Sequence, residues 1–389
     1  MKIAFDPWTL SARFRHQGTY VYARNLMAQF QRLHAGGSGK EVTFNLFASP
    51  ASTNDARLVE SSNGFQLVRT NLPNYDRLWR FGGVSLAAAR ARADVIFAPT
   101  ASIFPIGAIP VICTIHDATA VMMPSHSRKV RLLSRALLWA SATRSSTVIA
   151  VSEHTRNDLI RIYGLPESRV AVVYNGYDKT VFNETASDPE SKINVLKKLG
   201  LSRPYILHHG TIQPRKNLKR LIQAYRLMFS RNPNLDLDLV LVGQPGWEYE
   251  EIVAMASQGN PGDGRVVLTG ILDDADLAAV IKGASLVVIP SLYEGFCLPM
   301  VEAMACGAPV VAANASCLPE ISGGCLKYFD PHSMDEIAAC MEQVLENGEL
   351  RTSLSRKGIE RAQFFSWERC AAETLNLLKS QVVKGKAKS

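Results

Sequence analysis

Long apolar runs are missing from this sequence of 389 residues, in which no stretch approaches the ~18–20 apolar residues of a membrane-spanning helix. The first ten residues, MKIAFDPWTL, also lack the apolar segment of a secretion signal. Hydrophobic residues make up 47% and charged residues 20%, which excludes disorder as the main state. We therefore expect a cytoplasmic protein, with peripheral contact at the inner face of the membrane left open.

Cysteine is present without its usual pairing patterns. The seven cysteines are odd in number, contain no Cys-x-x-Cys motif and show no metal-ligand spacing. Unpaired cysteines of this kind commonly serve as small core residues in a reducing compartment. The sequence thus predicts neither a disulfide framework nor a bound metal ion.

Acidic residues are scarce in the first 150 positions, which contain 17 Lys and Arg residues and 7 Asp and Glu residues. A basic half indicates an anionic partner, such as phosphate groups, nucleic acid or an acidic lipid surface. Within it, SHSRKVRLLSRALLWASATRSS (125–146) is both cationic and amphipathic. Two interpretations stay open: a helix that buries its leucines on a sheet, or a helix whose arginines rest on anionic lipid.

The apolar runs that are present are short, β-rich and separated by helical patterns. They form two series, which are KIAFD, VTFNLFA, VIFAP, VICTIHD, TVIAVS and VAVVYNG, and then YILHHG, DLVLVG, RVVLTG, SLVVIP and APVVAA. Such runs predict parallel sheets covered by helices, hence an α/β protein with two doubly wound domains and a ligand cleft between them. A polar segment near 178–200 separates the series. The expected domains are 1–183 and 184–365. They are followed over 366–389 by a terminal helix and then by QVVKGKAKS, a basic tail from Gln381 that is expected to be disordered and solvated.

Three segments imitate ligand sites but are better explained as local structure. HAGGSGKE (34–41) resembles a phosphate loop, yet it follows a helix and has His34 and Glu41 at positions that require Gly and Ser or Thr. Asp236 and Asp238 have the spacing of a metal pair, but they lie at the approach to a buried strand. GNPGDG (259–264) has the composition of a loop that requires no ligand.

The segment HHGTIQPRKNLKRLIQAY (208–225) has a strand end at Gly210 and a basic pair, Arg215 and Lys216, at the predicted start of an amphipathic helix. Cations are unfavourable at the positive end of a helix unless an anion binds there. Arg and Lys are also the side chains that donate to phosphate oxygens. The pattern favours a bound anion over a solvated helix start.

The segment SLYEGFCLPMVEAMACGAPVV (291–311) contains two glutamates, Glu294 in a loop after a strand and Glu302 in the first turns of a helix that Pro299 suits. Gly295 is expected to adopt unusual dihedrals, so that N–H groups of residues 296–298 face a ligand. Two such carboxylates can accept hydrogen bonds from two hydroxyl-bearing parts of one ligand. With the basic pair, they predict a sugar nucleotide site, whereas the alternative is two glutamates that face water.

Two weaker signals follow strands of the first series. His116 comes directly after the predicted strand PVIC, at the edge where open α/β sheets bind ligands. Gly18 precedes a helix after the first strand, where its backbone can approach a phosphate. Both positions are equally compatible with a structural role.

Together these segments resemble family GT4 of the retaining glycosyltransferases, from Gly18 to the FFSWERC segment, most specifically in the E-x7-E pattern of Glu294 and Glu302. The resemblance implies the GT-B fold of two facing Rossmann-like domains, with the terminal helix crossing back to the first. TIHDATAVMMP and GTIQPRKN look most like bacterial mannosyltransferases of polysaccharide assembly. The implied reaction transfers a hexose, best guess mannose from GDP-mannose, to a sugar hydroxyl of a glycan or lipid-linked acceptor in glycan or envelope polysaccharide assembly. No nucleic-acid partner is expected.

The resemblance also implies roles for individual residues. Arg215 and Lys216 would hold the donor diphosphate without a metal ion, and Glu302 would bind the ribose. His116 would lie beside the transferred sugar and the acceptor, and it completes the expected catalytic set with Glu294 and the basic pair. The other donor-binding positions would contact the sugar, the phosphates or the base, and they are Gly18, Gly210, Gly270, Leu272, Glu294, Gly295, Phe296, Cys297 and Leu298.

Two departures from the family pattern bear on donor choice. Cys297 stands where the family usually has glycine, which predicts crowding of the sugar, and His16 and Gln17 precede Gly18 in place of a Gly-Gly loop. Rival interpretations are a UDP-sugar donor, a scaffold that binds sugar nucleotides without turnover, and a UDP-sugar 2-epimerase. The E-x7-E pattern disfavours the epimerase, and the complete set of charged residues disfavours the scaffold.

Overall fold

The computed structural model describes residues 1–11, 14–15, 17–37, 40–48, 64–69, 78–123, 128–185, 189–259 and 264–386. The chain divides into two compact units. The first comprises Met1–Gly176 together with Ser366–Ser389, and the second comprises Tyr177–Phe365. The last helix therefore belongs to the first unit, although it follows the second unit in sequence.

The first unit is built on a seven-stranded sheet of parallel pairs with strand order β3-β2-β1-β4-β5-β6-β7. Strands β4, β5 and β6 are buried along their whole length, as is typical of apolar runs in a parallel sheet. The strands are β1 (Lys2–Phe5), β2 (Thr43–Ala48), β3 (Phe65–Arg69), β4 (Val95–Ala98), β5 (Val111–Ile115), β6 (Thr147–Ala150) and β7 (Val170–Val172).

Helices of the first unit pack on this sheet around a core that includes Trp79 and Phe47. Helix α5 (Glu153–Tyr163) shows how local sequence sets the bounds of a helix. The Ser152 side chain accepts a hydrogen bond from the Thr155 N–H at its start, and Gly164 ends it in the left-handed conformation. The helices are α1 (Gly18–Ala35), α2 (Val84–Arg90), α3 (Thr119–Met122), α4 (Arg128–Arg144), α5 (Glu153–Tyr163) and the terminal α14 (Trp367–Lys386), with a π-helical turn at Trp79–Gly83 and 3-10 turns at Trp8–Leu10 and Glu167–Arg169.

Helix α14 is held in the first unit by contacts along its length. The Trp367 ring is buried 6.0 Å from the Tyr22 ring of α1. Near the other end, Gln381 Nε2 donates to Thr147 Oγ1 of β6 at 2.7 Å. The expectation of a disordered tail from Gln381 was therefore wrong as far as Lys386, because the chain is helical there and Gln381 is bonded to the sheet.

The second unit contains a six-stranded parallel sheet of order β10-β9-β8-β11-β12-β13. Successive strands are added on one side of β8 as far as β10 and then on its other side from β11, so the strand order reverses between β8 and β11. Its strands are β8 (Tyr205–His209), β9 (Asp238–Val242), β10 (Val266–Gly270), β11 (Leu286–Ile289), β12 (Val310–Ala313) and β13 (Lys327–Phe329). Its helices are α6 (Pro189–Lys198), α7 (Leu218–Arg231), α8 (Glu250–Ala256), α9 (Asp274–Gly283), α10 (Leu298–Ala305), α11 (Leu318–Ser322), α12 (Met334–Glu346) and α13 (Gly348–Ala362). Two doubly wound parallel sheets confirm the predicted fold class.

Two strands were not predicted, and both lie at a sheet edge. Strand β3 (FQLVR) pairs only with β2, and β13 (KYF) pairs only with β12. An edge strand meets one neighbour instead of two, so it does not require the continuous apolar run that marks a central strand. An edge position lowers this requirement without removing the signal in every case, since β7 and β10 are edge strands too and their apolar runs were predicted.

The cysteines are unpaired, and all except Cys325 are buried, which confirms their interpretation as small core residues. Burial raises the pKa of the Cys113 thiol to about 12, so this side chain stays protonated. In the part of the chain that the structure describes, no helix is both long and apolar enough to cross a bilayer.

Candidate functional site

The basic pair of the second unit lies in a single 3-10 turn, Pro214–Lys216, at the end of the loop that follows β8. We expected these cations to open the amphipathic helix itself, and this was wrong: Asn217 adopts a left-handed conformation with φ 58°, and α7 begins after it at Leu218. The Asn217 side chain donates to Pro331 O at 2.8 Å, which holds the unusual conformation in place. The turn sets Arg215 and Lys216 apart from the helix.

Glu294 lies between the two cations. Its Oε2 is 2.5 Å from Arg215 Nη1, its Oε1 is 2.6 Å from Lys216 Nζ, and the residue is buried. Burial is the largest single influence and would raise the pKa of this carboxyl, but the charges of Arg215 and Lys216 and the hydrogen bond from Lys216 act together to lower it to about 2. Glu294 is therefore ionised at neutral pH, and the three side chains carry a net charge of +1.

Backbone contacts join the loop after β11 to the basic turn. Leu292 N–H donates to Arg215 O at 2.9 Å, and Arg215 Nη1 donates to Tyr293 O at 2.6 Å. The Glu294 N–H donates to Ser316 Oγ at 3.0 Å. The sequence placed the cations and the first glutamate in separate motifs with separate roles, whereas the structure makes them one fixed group.

The turn before α10 takes its unusual conformation from Cys297. Cys297 has φ 69°, whereas Gly295 does not lie in the left-handed region, so the expectation for Gly295 was wrong. Pro299 falls in the first turn of α10, as predicted. Burial raises the pKa of the Cys297 thiol to about 12, which leaves it neutral. The Phe296 side chain is buried, and its ring lies edge-on to Phe365 with 5.3 Å between the ring centres.

Glu302 projects from α10 and contacts a residue that sequence reasoning missed. His209 Nε2 lies 3.3 Å from Glu302 Oε2, and the His209 side chain is buried. The geometry suits a hydrogen bond in which Nε2 donates to the Glu302 carboxylate. His209 Nδ1 is buried and has no partner among the described residues. The signal was available, since His209 precedes Gly210 at a strand end.

His208 is the second buried histidine of β8. Its Nδ1 donates to Val288 O at 3.0 Å, so Nε2 is a lone-pair acceptor. Burial lowers the pKa of this imidazole to about 3, with a smaller contribution from the nearby Lys216 charge. His208 is thus a neutral core residue next to the basic turn.

Three neighbouring strands of the second sheet end in glycine: Gly210 after β8, Gly243 after β9 and Gly270 at the end of β10. A Cβ at Gly243 would lie 2.0 Å from Gly210 O, so only glycine allows the two loops to approach. Gly210 and Gly270 were predicted and Gly243 was missed, although the runs HHG, LVG and LTG share the pattern. Leu272 follows β10 by two residues and is partly buried.

The first unit contains two candidate residues, His116 and Gly18. His116 follows β5 directly, its Nε2 lies 2.9 Å from Pro99 O, and its ring meets the Tyr22 ring edge-on at 4.7 Å. Burial lowers the pKa of His116, so the neutral ring donates from Nε2 to the carbonyl. Gly18 is the exposed first residue of α1, after Gln17. His16 lies outside the described residues.

The aspartates that imitate a metal pair bind arginines. Asp236 pairs with Arg203 at 2.9 Å, and the buried Asp238 pairs with Arg265 at 2.6 Å. Across the described ranges, no group of three or more His, Cys, Asp or Glu side chains has the geometry to hold a metal ion.

Comparison with known proteins gives the class of this protein. Residues 18–181 match the family described as Glycosyltransferase Family 4, and residues 192–361 match that described as Glycosyl transferases group 1. The chain is 32% identical over 271 residues to the O-antigen chain mannosyltransferase B of Escherichia coli, which covers 69% of this chain and 70% of that protein. It is 31% identical over 236 residues to the serotype-specific mannosyltransferase WbdA of Escherichia coli, covering 60% of this chain and 28% of that protein.

Among solved structures, that of Anabaena Alr3699/HepE in complex with UDP-glucose aligns with a TM-score of 0.73 at 21% identity, covering 98% of this chain and 100% of that one. At this identity the likeness concerns the fold, which is GT-B. Fold and sequence together define an enzyme of the glycosyltransferase class. The chain belongs to Glycosyltransferase Family 4.

Proposed function

We propose that this glycosyltransferase moves mannose from GDP-mannose to a sugar hydroxyl, with retention at the anomeric carbon, during assembly of a glycan or envelope polysaccharide. The observation that carries the proposal is the ionised Glu294 held between Arg215 and Lys216 after the strands of the second sheet. Two cations suit a diphosphate and a fixed carboxylate suits sugar hydroxyls. Mannose as the sugar rests on the mannosyltransferase relatives.

The basic turn would act on the leaving group. As the bond between the anomeric carbon and the phosphate oxygen breaks, negative charge grows on the nucleoside diphosphate, and Arg215 and Lys216 are already in place to stabilise it. The acceptor oxygen attacks from the same face, and its proton passes to a phosphate oxygen of the leaving group. With a pKa of about 2, Glu294 acts as a hydrogen-bond acceptor and has no proton to donate.

His116 is proposed to contact the acceptor sugar that the first unit binds, which is a glycan or a lipid-linked sugar. Its bond to Pro99 O fixes the ring orientation and leaves Nδ1 as the nitrogen that can accept a hydrogen bond. A donor sugar that is proposed to lie against Cys297 would meet a thiol in place of the usual glycine, which restricts donor choice.

A panel of GDP-, UDP- and ADP-sugars in a thermal-shift assay, followed by a transfer assay, tests the donor. GDP-mannose should raise the melting temperature most, because a ligand that binds only the native state stabilises it. A UDP-sugar is the second candidate, favoured by the UDP-glucose complex of the Anabaena protein. Binding without turnover would instead indicate a scaffold, and an inverted anomeric product would exclude retention.

Variants of the basic turn test the site itself. Arg215→Ala and Lys216→Ala should each weaken donor binding by about 1.5–3 kcal/mol, since the diphosphate loses a charged hydrogen-bond partner. Lys219→Ala is the matched control, because Lys219 carries the same charge on the neighbouring helix but pairs with Glu251. Equal effects of all three substitutions would remove the pair from the donor site.

We also propose that transfer proceeds without a metal ion, because side-chain cations would neutralise the leaving diphosphate. Excess EDTA should then leave the rate of transfer nearly unchanged. Loss of activity that one divalent ion restores would contradict this part of the proposal.

A further inference from the structure

A buried carboxylate lies where the strand order of the first sheet reverses. The order β3-β2-β1-β4-β5-β6-β7 reverses between β1 and β4, and open α/β sheets bind ligands outside the carboxyl ends of the strands at such a point. Asp6 follows β1 directly, its N–H donates to Phe97 O of β4 at 2.9 Å, and the residue is 1% exposed. A carboxylate is costly to bury, so this position requires an explanation.

The Asp6 carboxylate accepts hydrogen bonds from three separate segments. Trp79 Nε1 of the π-helical turn donates to Oδ1 at 2.6 Å, and Ser102 Oγ in the loop after β4 donates to Oδ2 at 2.9 Å. The Trp8 N–H, in the loop after β1, donates to Oδ1 at 3.1 Å. Trp79 and Ser102 are themselves buried. One side chain therefore joins segments that lie up to 96 positions apart in sequence.

Burial and hydrogen bonding act on the Asp6 carboxyl in opposite directions. Burial raises its pKa above the ordinary value of 3.8, whereas the bonds from Trp79, Ser102 and Trp8 act to lower it. The nearby charge of Arg80 also favours the ionised form. Removal of the carboxylate would take the acceptor away from three donors at once, which would loosen the segments to which they belong.

The joined segments carry an aromatic ring and a cation that reach the surface. The Arg80 guanidinium lies 4.7 Å from the Trp8 ring centre, and Arg80 Nε donates to Ser102 O at 3.0 Å. Trp8 and Arg80 are both partly exposed, in contrast to the buried Asp6. An aromatic ring offers apolar contact area to a sugar ring, and a guanidinium offers N–H donors to its hydroxyl oxygens.

The loop after β4 also contacts the residue that is proposed to meet the acceptor. His116 Nε2 donates to Pro99 O at 2.9 Å, and Pro99 lies three positions before Ser102 in that loop. The loop is therefore held by His116 at one residue and by Asp6 at another. If the first unit binds the acceptor, the loops after β1 and β4 are in place to border its sugar.

We propose that Asp6 is a positioning residue for the acceptor: its carboxylate fixes the loops after β1 and β4, and so holds Trp8 and Arg80 where they contact the acceptor sugar. Asp6 itself is buried and touches no substrate. The inference rests on the proposed function, in which the first unit binds the acceptor. A purely structural role would instead lower stability and affect donor and acceptor alike.

Variants of Asp6 and Ser102 in the full-length protein test the proposal. Asp6→Ala removes the acceptor of all three hydrogen bonds. Asp6→Asn is the conservative variant, because its Oδ1 can still accept from Trp8 and Trp79 and its amide can donate to Ser102 Oγ. Ser102→Ala releases the loop after β4 alone.

Two controls remove matched groups elsewhere in the first unit. Asp158→Ala removes a buried carboxylate of α5, which contacts β6 and β7, and Thr147→Val removes the buried hydroxyl at the start of β6 that Gln381 bonds. Steady-state transfer is measured with GDP-mannose and UDP-glucose as donors. The acceptor probes are p-nitrophenyl α- and β-glycosides of mannose, glucose and N-acetylglucosamine. Hydrogen exchange is measured on the free protein.

The expected result is a change in the acceptor KM that the donor KM does not share. Asp6→Ala should raise the acceptor KM about tenfold and leave the donor KM within about twofold, because only the acceptor contacts are misplaced. Ser102→Ala should raise the acceptor KM roughly threefold, and Asp6→Asn should recover most of the native value. Both Ala variants should speed exchange in peptides that contain Ser102, and Asp6→Ala also in those that contain Trp8. The controls should do neither.

An unchanged acceptor KM in Asp6→Ala and Ser102→Ala would overturn the inference and leave the proposed function standing. Equal rises of the donor KM and the acceptor KM would do the same, as would an effect of Asp158→Ala as large as that of Asp6→Ala. If Asp6→Ala does not fold, the comparison of Ser102→Ala with Thr147→Val decides. Absence of transfer by the native chain to every acceptor probe would contradict the proposed function, and the inference would fall with it.

Discussion

At the scale of the residue, Glu294 is the side chain on which the candidate site depends most. Its carboxylate contacts Arg215 and Lys216 and so fixes the direction of both cations. A buried ion pair of this kind is strongly destabilised when one partner is removed, because the remaining charge is left without its counter-ion. Glu294 therefore matters to stability as well as to the proposed reaction. The pH dependence of unfolding measures its contribution to stability alone.

We predict that the stability lost in Glu294→Gln depends on pH. The carboxyl has a pKa of about 2 when folded, against an ordinary value of 4.5, so its ionisation stabilises the fold above pH 5 and this contribution is lost as pH falls toward 2. It amounts to about 3 kcal/mol at pH 6 and about 1 kcal/mol at pH 3. Urea unfolding measures the free energy of unfolding of the native chain and of Glu294→Gln. The difference between the two should shrink by about 2 kcal/mol from pH 6 to pH 3.

The exposed Glu346 at the end of α12 provides the control for this measurement. Glu346→Gln should differ from the native chain by less than about 0.5 kcal/mol at both pH values, as surface substitutions usually do. If the free energy of unfolding of Glu294→Gln differs from that of the native chain by the same amount at pH 6 and pH 3, the ion-pair account is contradicted.

His209 is predicted to position Glu302 without touching the substrate. His209→Phe keeps a ring and removes the N–H donor, so Glu302 loses its orientation and the affinity for the nucleoside diphosphate should fall roughly three- to tenfold. His209→Gln restores a donor and should recover part of that affinity. Calorimetry with GDP measures both, and kcat should change less than the donor KM.

Two outcomes would contradict the positioning role. One is an equal loss of affinity in His209→Phe and His209→Gln, which would indicate general damage to the core. The other is a loss in His209→Phe that persists when Glu302 is already replaced by Gln, since the two substitutions should then no longer add.

At the scale of the element, the turn into α10 depends on a cysteine in an unfavourable conformation. Residues other than glycine seldom adopt φ near 69°, and a residue branched at Cβ does so least. Cys297 is also buried, so glycine would relieve the backbone and lose packing at once. The relief of backbone strain should raise the free energy of unfolding by about as much as the loss of packing lowers it.

We predict that Cys297→Gly changes stability by less than about 1 kcal/mol, whereas Cys297→Val costs roughly 2 kcal/mol or more. Thermal denaturation measures both, with Cys340→Val as the control, because Cys340 is equally buried but lies within helix α12. If the two valine variants cost the same, backbone strain at Cys297 does not limit this turn.

At the scale of the whole molecule, the terminal helix makes the first unit discontinuous in sequence. Helix α14 joins that unit through Trp367, which is buried against Tyr22, and through the bond of Gln29 Nε2 to Glu368 at 3.3 Å. Residues at both ends of the chain therefore stabilise the same unit.

We predict that Trp367→Ala destabilises the first unit by about 3–5 kcal/mol, the usual cost of removing a buried Trp, and leaves the second unit unaffected. Hydrogen exchange should show faster exchange in peptides from β1, β4 and β5, with peptides from β8 and β11 unchanged. Phe229→Ala in α7 is the reciprocal control, since Phe229 is buried in the second unit. Faster exchange in both units for each variant would mean that they unfold together.

Sequence patterns alone were enough to predict the α/β class, eleven of the thirteen strands in the described part of the chain, and the charged residues near strand ends. These features are local, because a buried parallel strand requires a continuous apolar run and the helix after it has its own period. The E-x7-E pattern and the Pro299 helix start are local in the same way. Strands β3 and β13 escaped prediction because FQLVR and KYF lack a continuous apolar run, which an edge strand does not require, although the edge strands β7 and β10 have one.

The contacts between charged side chains could not be read from the sequence. Glu294 lies 79 positions from Arg215, and Glu302 lies 93 positions from His209, so their contacts depend on β8 and β11 being neighbours in the sheet. The same holds for the exposed side of α4, because its leucines are divided between core and surface by the packing of the helix. Periodicity marks which residues share a face, but contacts between distant segments arise only when sheet order brings strand ends together.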